Sequence, residues 1–322
     1  MNMHHTYSPP TQTHFPRIDH RAERGFTLIE LSIVLVIIGL IVGGVLVGQD
    51  LIRAAEIRAT ISQVEKYNTE VNTFRTKYNG IPGDLPAQTA SNFGNLAVLQ
   101  GQEGSGDGNL IVEDGNAGAG GGGANTNTFA GEISTFWLHL TQASLIDGGF
   151  GALLTTIAAG GTPAAGGTGL PSVAATAGNM NQFIPPAKLG RGMSFIVFSG
   201  GGFNFYGMMP VTAISTAGAY TLAPTGISGV MAANIDTKLD DGLPNGGVVR
   251  AISVNTAPIT PAATNALFSP YGMTAPSGAS PAAANLCTLE AVNGAHAAND
   301  TYNINAALGG NDSACAMAFR FN

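Results

Sequence analysis

Apolar positions follow three different rhythms along this chain. From Phe26 to Gly48 they are continuous: Leu, Ile, Val and Gly, with one Thr, one Ser and a single ionisable side chain, Glu30. At about 1.5 Å of rise per residue, a helix of that length covers the ~30 Å hydrocarbon core of a bilayer and satisfies its own backbone there. From Gln49 onward the run turns amphipathic without a breaker. Ile57, Ile61, Val64, Val71, Phe74 and Tyr78 recur at helical steps, with a gap at Tyr67/Asn68, while Glu56, Arg58, Glu65, Lys66, Glu70, Arg75 and Lys77 lie between them. That spacing predicts a helix with one buried stripe, ended by Asn79-Gly80 and Pro82. One helix from about Thr27 to about Tyr78 is expected. Two helices broken near Gly43-Gly44 or Gly48 are the alternative, since each glycine weakens a helix by ~1 kcal/mol.

The third rhythm is irregular and punctuated by glycine. Residues 79–128 read as loop. Glu132–Ile146 places Ile133, Phe136, Trp137 and Leu140 on one face, a short helix stopped by Gly148-Gly149. It holds the only Trp, which is expected in the core, and His139, which is expected at the helix surface or the core edge. Ser194–Phe198 and Phe203–Met208 flank Ser199-Gly200-Gly201-Gly202 and predict a β-hairpin. Val230–Leu239 predicts a helix, Asp241–Gly247 a turn and Val248–Val254 a strand. Cys315–Phe321 alternates and reads as an edge strand. Residues 150–181 and 255–285 are Gly/Ala/Thr/Pro/Ser tracts of low complexity. The fold class expected is α+β: a long N-terminal helix packed on a small antiparallel sheet, with long Gly/Ala/Thr-rich loops.

Composition narrows the function. Charged residues are 10% of the chain, against ~25% in an ordinary soluble domain, and Gly numbers 45 of 322. The net charge is −7, and after Lys77 the only basic residues are Lys188, Arg191, Lys238, Arg250 and Arg320. No basic stripe for nucleic acid results, so nucleic acid is not an expected partner. No Gly-x-Ser-x-Gly elbow, phosphate loop or His-Glu-x-x-His string occurs, so an enzyme is not expected either. Cys287 and Cys315 are the two cysteines. In an exported chain they read as one disulfide, worth ~3.5 kcal/mol by chain entropy, with two buried thiols as the alternative.

Residues 1–25 are polar and irregular, with His4, His5, Pro9, Pro10, His14 and Pro16 followed by Arg17, Arg21 and Arg24. They read as a leader. No small-residue cleavage site follows the apolar core at the distance a secretory signal requires. Arginines flank the run on both sides and vote only slightly for an inside N-terminus. Gly25 exposes the backbone before Phe26 to a protease. Thr27 and Glu30 stand three apart, as in a capping box, which is one account of Glu30. The other is intermolecular: a carboxylate in a membrane span is costly and has a partner. Cleavage after Gly25 would create an amine at Phe26 for the Glu30 of a neighbouring helix to neutralise.

Arg24-Gly25-Phe26-Thr27-Leu28-Ile29-Glu30-Leu31 and the apolar run behind it resemble the cleavage and methylation motif of the type IV pilins and the pseudopilins of type II secretion systems. The resemblance implies a prepilin peptidase that cuts after Gly25 and methylates Phe26, and a role for Glu30 in assembly. It covers residues 21–60 and extends to 86 through Lys77-Tyr78-Asn79-Gly80-Ile81-Pro82-Gly83-Asp84. Many pilins carry a proline in the apolar half; this chain has none there, and Gly39, Gly43, Gly44 and Gly48 are the flexible positions instead. The Cys287/Cys315 pair resembles the C-terminal disulfide loop of many type IV pilins.

The domains expected are therefore a leader (1–25), a membrane or filament-core half-helix (26–48), an amphipathic half-helix (49–79) and a pilin-like body (80–322). The function implied is a structural subunit of a type IV pilus or secretion pseudopilus. Its partners would be prepilin peptidase and other pilin or pseudopilin subunits met through the N-terminal helix. It would sit first in the bacterial inner membrane, with a cytoplasmic N-terminus, and later in a periplasmic or extracellular filament. The alternative is a membrane-tethered binding module, such as an adhesin-like minor pilin at a filament tip. Calcium is the cofactor to consider, because major pseudopilins use it. Asp236 and Asp240 are one helical turn apart beside Asp241, and can share a cation or simply cap the helix end. Gly106-Asp107-Gly108-Asn109 with Glu113 and Asp114 offers oxygen ligands or a solvated turn.

Overall fold

The computed structural model describes residues 25–86, 89, 106, 108–112, 129, 131–151, 175–176, 178–200, 202–215, 220–223, 226–253, 287–289, 301–304 and 315–321. Residues 1–24 of the expected leader, Asp107, Glu113 and Asp114, and most of both low-complexity tracts lie outside the described residues. By its internal contacts the chain divides into two units, Met1–Ile52 and Arg53–Asn322.

Helix α1 is a single element, Leu28–Tyr78, of 51 residues, and it runs without a break through Gly39, Gly43, Gly44 and Gly48. In the first unit every residue from Gly25 to Val47 is exposed, so this stretch has no intramolecular core of its own. It is long and apolar enough to cross a membrane.

In the second unit the same helix buries a stripe: Ile57, Thr60, Gln63, Val64, Tyr67, Glu70, Val71, Phe74 and Tyr78. The gap at Tyr67 in the apolar pattern is therefore part of the buried face. Glu70, assigned with its charged neighbours to the solvent side, is buried too. Helix α1 ends where Asn79 takes a left-handed φ of 54° and its N–H bonds back to Arg75 O.

Helix α2, Gly131–Gln142, lies beneath the same core with Phe136 and Trp137 fully buried. His139 is not at a surface. It is fully buried and its Nδ1 accepts the Gly83 N–H at 2.9 Å, tying the loop after α1 to α2. Gly83 has φ 90°, and a Cβ there would lie 2.5 Å from Glu132 O, so only glycine permits this approach.

The strands are β1 (Ala175–Thr176), β2 (Ser194–Gly200), β3 (Phe203–Met209), β4 (Val211–Ile214), β5 (Tyr220–Leu222), β6 (Val249–Ser253), β7 (Thr288–Leu289), β8 (Thr301–Tyr302) and β9 (Cys315–Phe321). The main sheet has the order β2-β3-β9-β6 and is antiparallel throughout, with β2 and β3 forming the expected hairpin. Strands β1-β4-β5 and β7-β8 make two smaller sheets. Helix α3, Gly229–Leu239, precedes β6 and is capped by Ser228, whose Oγ accepts the Met231 N–H. The α+β class read from the sequence is the class observed.

The C-terminal strand corrects the expectation. β9 pairs with β3 on one side and β6 on the other, so it is an interior strand. Six of its seven residues are buried, because Ala, Met and Phe fill both of its faces and leave no polar side for solvent. Alternation of large and small apolar residues had looked like an amphipathic edge.

The core between α1, α2 and the main sheet is aromatic. Tyr67 meets Trp137, Phe195 and Tyr206 at centroid distances of 4.9, 5.4 and 5.8 Å, and Tyr206 stacks on Phe321 at 4.1 Å. Such pairs add ~0.5–1.5 kcal/mol each beyond their buried area.

Candidate functional site

The start of α1 is built by Thr27 and Glu30. Thr27 is the N-cap, and Glu30 reaches back: its Oε2 accepts from Thr27 N–H and Thr27 Oγ1–H, both at 2.8 Å. Thr27 Oγ1 in turn accepts the Glu30 N–H at 3.3 Å. This reciprocal pattern is a capping box, the local account of Glu30. Only Oε2 is engaged in these bonds, which leaves Oε1 as an acceptor. Gly25 and Phe26 precede the helix and are exposed, Phe26 at 88%. Among the described residues, nothing in this unit covers Gly25 and Phe26.

In the second unit, Cys287 and Cys315 form a disulfide with Cα atoms 5.1 Å apart. It joins the start of β7 to the start of β9. Cys315 also exchanges backbone hydrogen bonds with Ile227, just before α3. The bridge thus holds the small β7-β8 sheet, α3 and the main sheet to one point.

The three aspartates come together at the C-terminal end of α3, with one oxygen of each within 4.8 Å of the others. Each has structural work there. Asp236, fully buried, accepts from the Tyr302 hydroxyl at 2.7 Å and from Gly242 N–H at 3.4 Å. Asp240 Oδ2 accepts from the N–H groups of Val248 and Val249, and Asp241 Oδ1 from Leu243 N–H at 2.8 Å. Burial pushes Asp236 up to about 6; the Tyr302 and Gly242 hydrogen bonds oppose this, and the charges of Asp241 and Asp240 add to it. The Tyr302 hydroxyl is driven upward by burial and by the Asp236 carboxylate, and stays protonated. An all-oxygen set of this kind suits a hard cation such as calcium. The same carboxylates also close the turn that leads into β6.

Four polar residues matter more than the sequence suggested. Asp84 is fully buried and accepts the Gly108 and Leu110 N–H groups, each at 2.6 Å, while Glu132 accepts that of Gly106 at 2.7 Å. Gly106 and Gly108 of the candidate cation loop, and Leu110 just after Asn109, so direct N–H donors at two carboxylates. Gln63 donates to Tyr67 Oη at 2.8 Å and Pro186 O at 2.9 Å, and accepts from Lys188 N–H at 2.7 Å. Glu70 has Lys66 Nζ at 3.5 Å and otherwise no partner for either oxygen among the described residues. Burial lifts it to about 7, against the pull of Lys66, with Asp147 adding to the rise. Only helical phase could have flagged Gln63 and Glu70, since both sit on the buried side of the Val64–Val71 turn.

An exposed apolar helix headed by Gly-Phe-Thr and a lone glutamate, continuous with a helix packed on an antiparallel sheet, fits a pilin-like fold. The sequence matches the family model of the prokaryotic N-terminal methylation motif over residues 20–46. The match supports the resemblance to type IV pilins and pseudopilins, and the chain carries that motif. No curated protein and no solved structure matched the sequence. The motif implies processing by prepilin peptidase and assembly with other pilins in general, in a family that is structural and not enzymatic. The apolar helix is consistent with a membrane-anchored subunit.

Proposed function

We propose that this chain is a structural subunit of a type IV pilus or of a type II secretion pseudopilus, made as a single-pass precursor in the bacterial inner membrane with its N-terminus in the cytoplasm. Prepilin peptidase cuts after Gly25 and methylates Phe26. The carrying observation is the methylation motif at residues 20–46 heading an apolar helix with one carboxylate at its start. The mature chain starts at Phe26: residues 26–48 occupy lipid and later the filament core, 49–79 underlie the body, and 80–322 form it.

Glu30 has two roles in sequence. In the precursor it caps α1 through Oε2. In the filament its carboxylate neutralises the Phe26 amine of an adjacent subunit, an arrangement favoured by the low dielectric of packed apolar helices. Passing from lipid to a filament core keeps the apolar run buried, so assembly does not expose it to water. Mass spectrometry of the mature N-terminus tests the reading. Methyl-Phe26 as the first residue is expected, and an intact N-terminus in cells that contain the peptidase would overturn it.

Calcium at Asp236, Asp240 and Asp241 belongs to the same reading as a brace for the turn into β6. A midpoint of thermal unfolding that rises with calcium in the wild type but not in Asp241→Asn supports it; equal shifts in both proteins remove it.

A further inference from the structure

Arg53 is the first basic side chain after Arg24, and it stands five residues past Gly48, where the apolar run ends, with Gln49 and Asp50 between them. In the second unit it lines a hollow of about 270 Å³ with Ile57, Arg191 and, from α3, Ser228, Met231 and Asn234. Two guanidinium groups and the first turn of a helix thus share one small concavity.

Arg191 is placed there by a costly backbone. It has φ 55° and stands between Gly190 at 75° and Gly192 at 70°. A non-glycine residue in the left-handed region costs of order 1–2 kcal/mol, and the chain takes that conformation at Arg191 as well as at the two glycines. The base of the turn is clamped to α1 by Gln63, through Pro186 O at 2.9 Å and Lys188 N–H at 2.7 Å. Ala187 N–H to Met193 O, at 2.9 Å, closes the loop on itself. The guanidinium that emerges is therefore held by bonded backbone, and Glu56 Oε2 lies 3.8 Å from it. That is too long for a strong charge-assisted hydrogen bond, and Glu56 Oε2 accepts none. Arg53 and Arg191 both line the hollow, and Glu56 reaches only Arg191 and does not line it, so positive charge is left over there. The positive end of the α3 dipole adds to it.

We propose that this hollow binds the phosphate of an anionic phospholipid at the surface of the membrane from which α1 emerges. The proposal rests on the membrane-anchored reading. Arginine forks match phosphate oxygens in a bidentate way. Chain continuity keeps Arg53 within five residues of the end of the apolar run, about 7.5 Å along the helix, where headgroup phosphates are the most concentrated anions. A headgroup bound there is released when the subunit leaves the bilayer for a filament, so lipid occupancy marks the unassembled state.

The test uses the full chain in detergent micelles doped with phosphatidylglycerol or with phosphatidylcholine, with bound lipid counted by native mass spectrometry. The wild type is expected to retain phosphatidylglycerol preferentially. Arg191→Gln should lower that retention about fivefold, the worth of one cation near an anionic surface. Glu56→Gln, which removes the competing carboxylate, should raise it by a similar factor, an outcome a merely structural role for Glu56 would not give. Lys77→Gln, on the exposed far end of α1, should leave it unchanged. Equal retention by wild type, Arg191→Gln and Glu56→Gln overturns the site, as does equal retention of both lipids. Displacement of the lipid by millimolar inorganic phosphate would assign the hollow to a soluble phosphate and overturn the lipid source. Failure of the chain to enter micelles at all is a separate result, and it would sink the membrane-anchored reading itself.

Discussion

Two stretches of α1 use one backbone conformation for opposite purposes. From Leu28 to Val47 the side chains are apolar all round and exposed, and only Glu30 is charged. From Ile57 to Tyr78 the helix has a wet face and a dry one, and the dry face includes Thr60, Gln63 and Glu70. The first stretch is interchangeable with lipid, since any apolar neighbour satisfies it. The second is specific, since Gln63 has bonds that only the 186–188 loop supplies. A helix of the first kind can change its surroundings without refolding. A helix of the second kind cannot.

The largest effects should come from the first stretch, where a single group decides the outcome. Replacing Gly25 with a bulky residue is expected to abolish processing, leaving only full-length precursor in the membrane fraction. Glu30→Ala should leave cleavage intact, because the cut lies before the helix, yet reduce filament incorporation severely. Normal incorporation of Glu30→Ala into sheared filaments would place the assembly contact elsewhere. The cap itself accounts for only ~1 kcal/mol, too little to block assembly by unfolding.

In the second unit the largest expected loss is from the disulfide. Cys287→Ser with Cys315→Ser should cost ~3.5 kcal/mol of unfolding free energy through the loop it closes. Denaturation followed by fluorescence of buried Trp137 measures this, and reductant should have little further effect on the double variant. The apolar run should stay helical throughout, which separates the two stretches directly.

Gln63→Ala follows. It leaves Pro186 O without its donor and Lys188 N–H without its acceptor, and a loss of ~2 kcal/mol is expected. The same variant frees the turn that carries Arg191, so phosphatidylglycerol retention should fall with it. A stable variant with unchanged retention would show that the clamp does not position Arg191.

Legibility followed the same division. The apolar run, the amphipathic stripe, the β2–β3 hairpin and the pairing of the two cysteines were all readable, because each is encoded locally by period, turn residues or count. β9 was readable as a strand over Cys315–Phe321 but not as an interior one, since that position depends on neighbours that arrive from Phe203 and Val249, far away in sequence. Polar core residues failed for a related reason. Glu70 and Lys66 look like a solvated helical pair, and His139 looks like a surface residue, until a sheet or a loop covers them. Of the proposed chemistry, Gly25, Phe26 and Glu30 stood out because one charge in a long apolar stretch needs an explanation. Arg53 and Arg191 did not, because only the fold brings them into one hollow.

The smallest expected effect concerns Glu70 and has a sign that discriminates. Its folded value, about 7, lies above the ordinary carboxylate range because burial disfavours the charge. The folded state therefore binds more protons than the unfolded state between roughly pH 4.5 and 7, and stability must fall as pH rises through that window. Asp236, raised to about 6 by burial, contributes a slope of the same sign at slightly lower pH. Glu70→Gln removes the first contribution and keeps the second. At pH 5 the variant and wild type should be nearly equal. At pH 8 the variant should be the more stable, by on the order of 1–2 kcal/mol, since the exposed Lys66 partner screens only part of the buried charge. Lys66→Gln should do the reverse, destabilising the wild-type fold at pH 8 and not at pH 5. If Glu70→Gln proves less stable than wild type at pH 8, the Lys66–Glu70 pair outweighs the burial of Glu70, and the dry face of α1 holds a favourable ion pair where a strained carboxylate is expected.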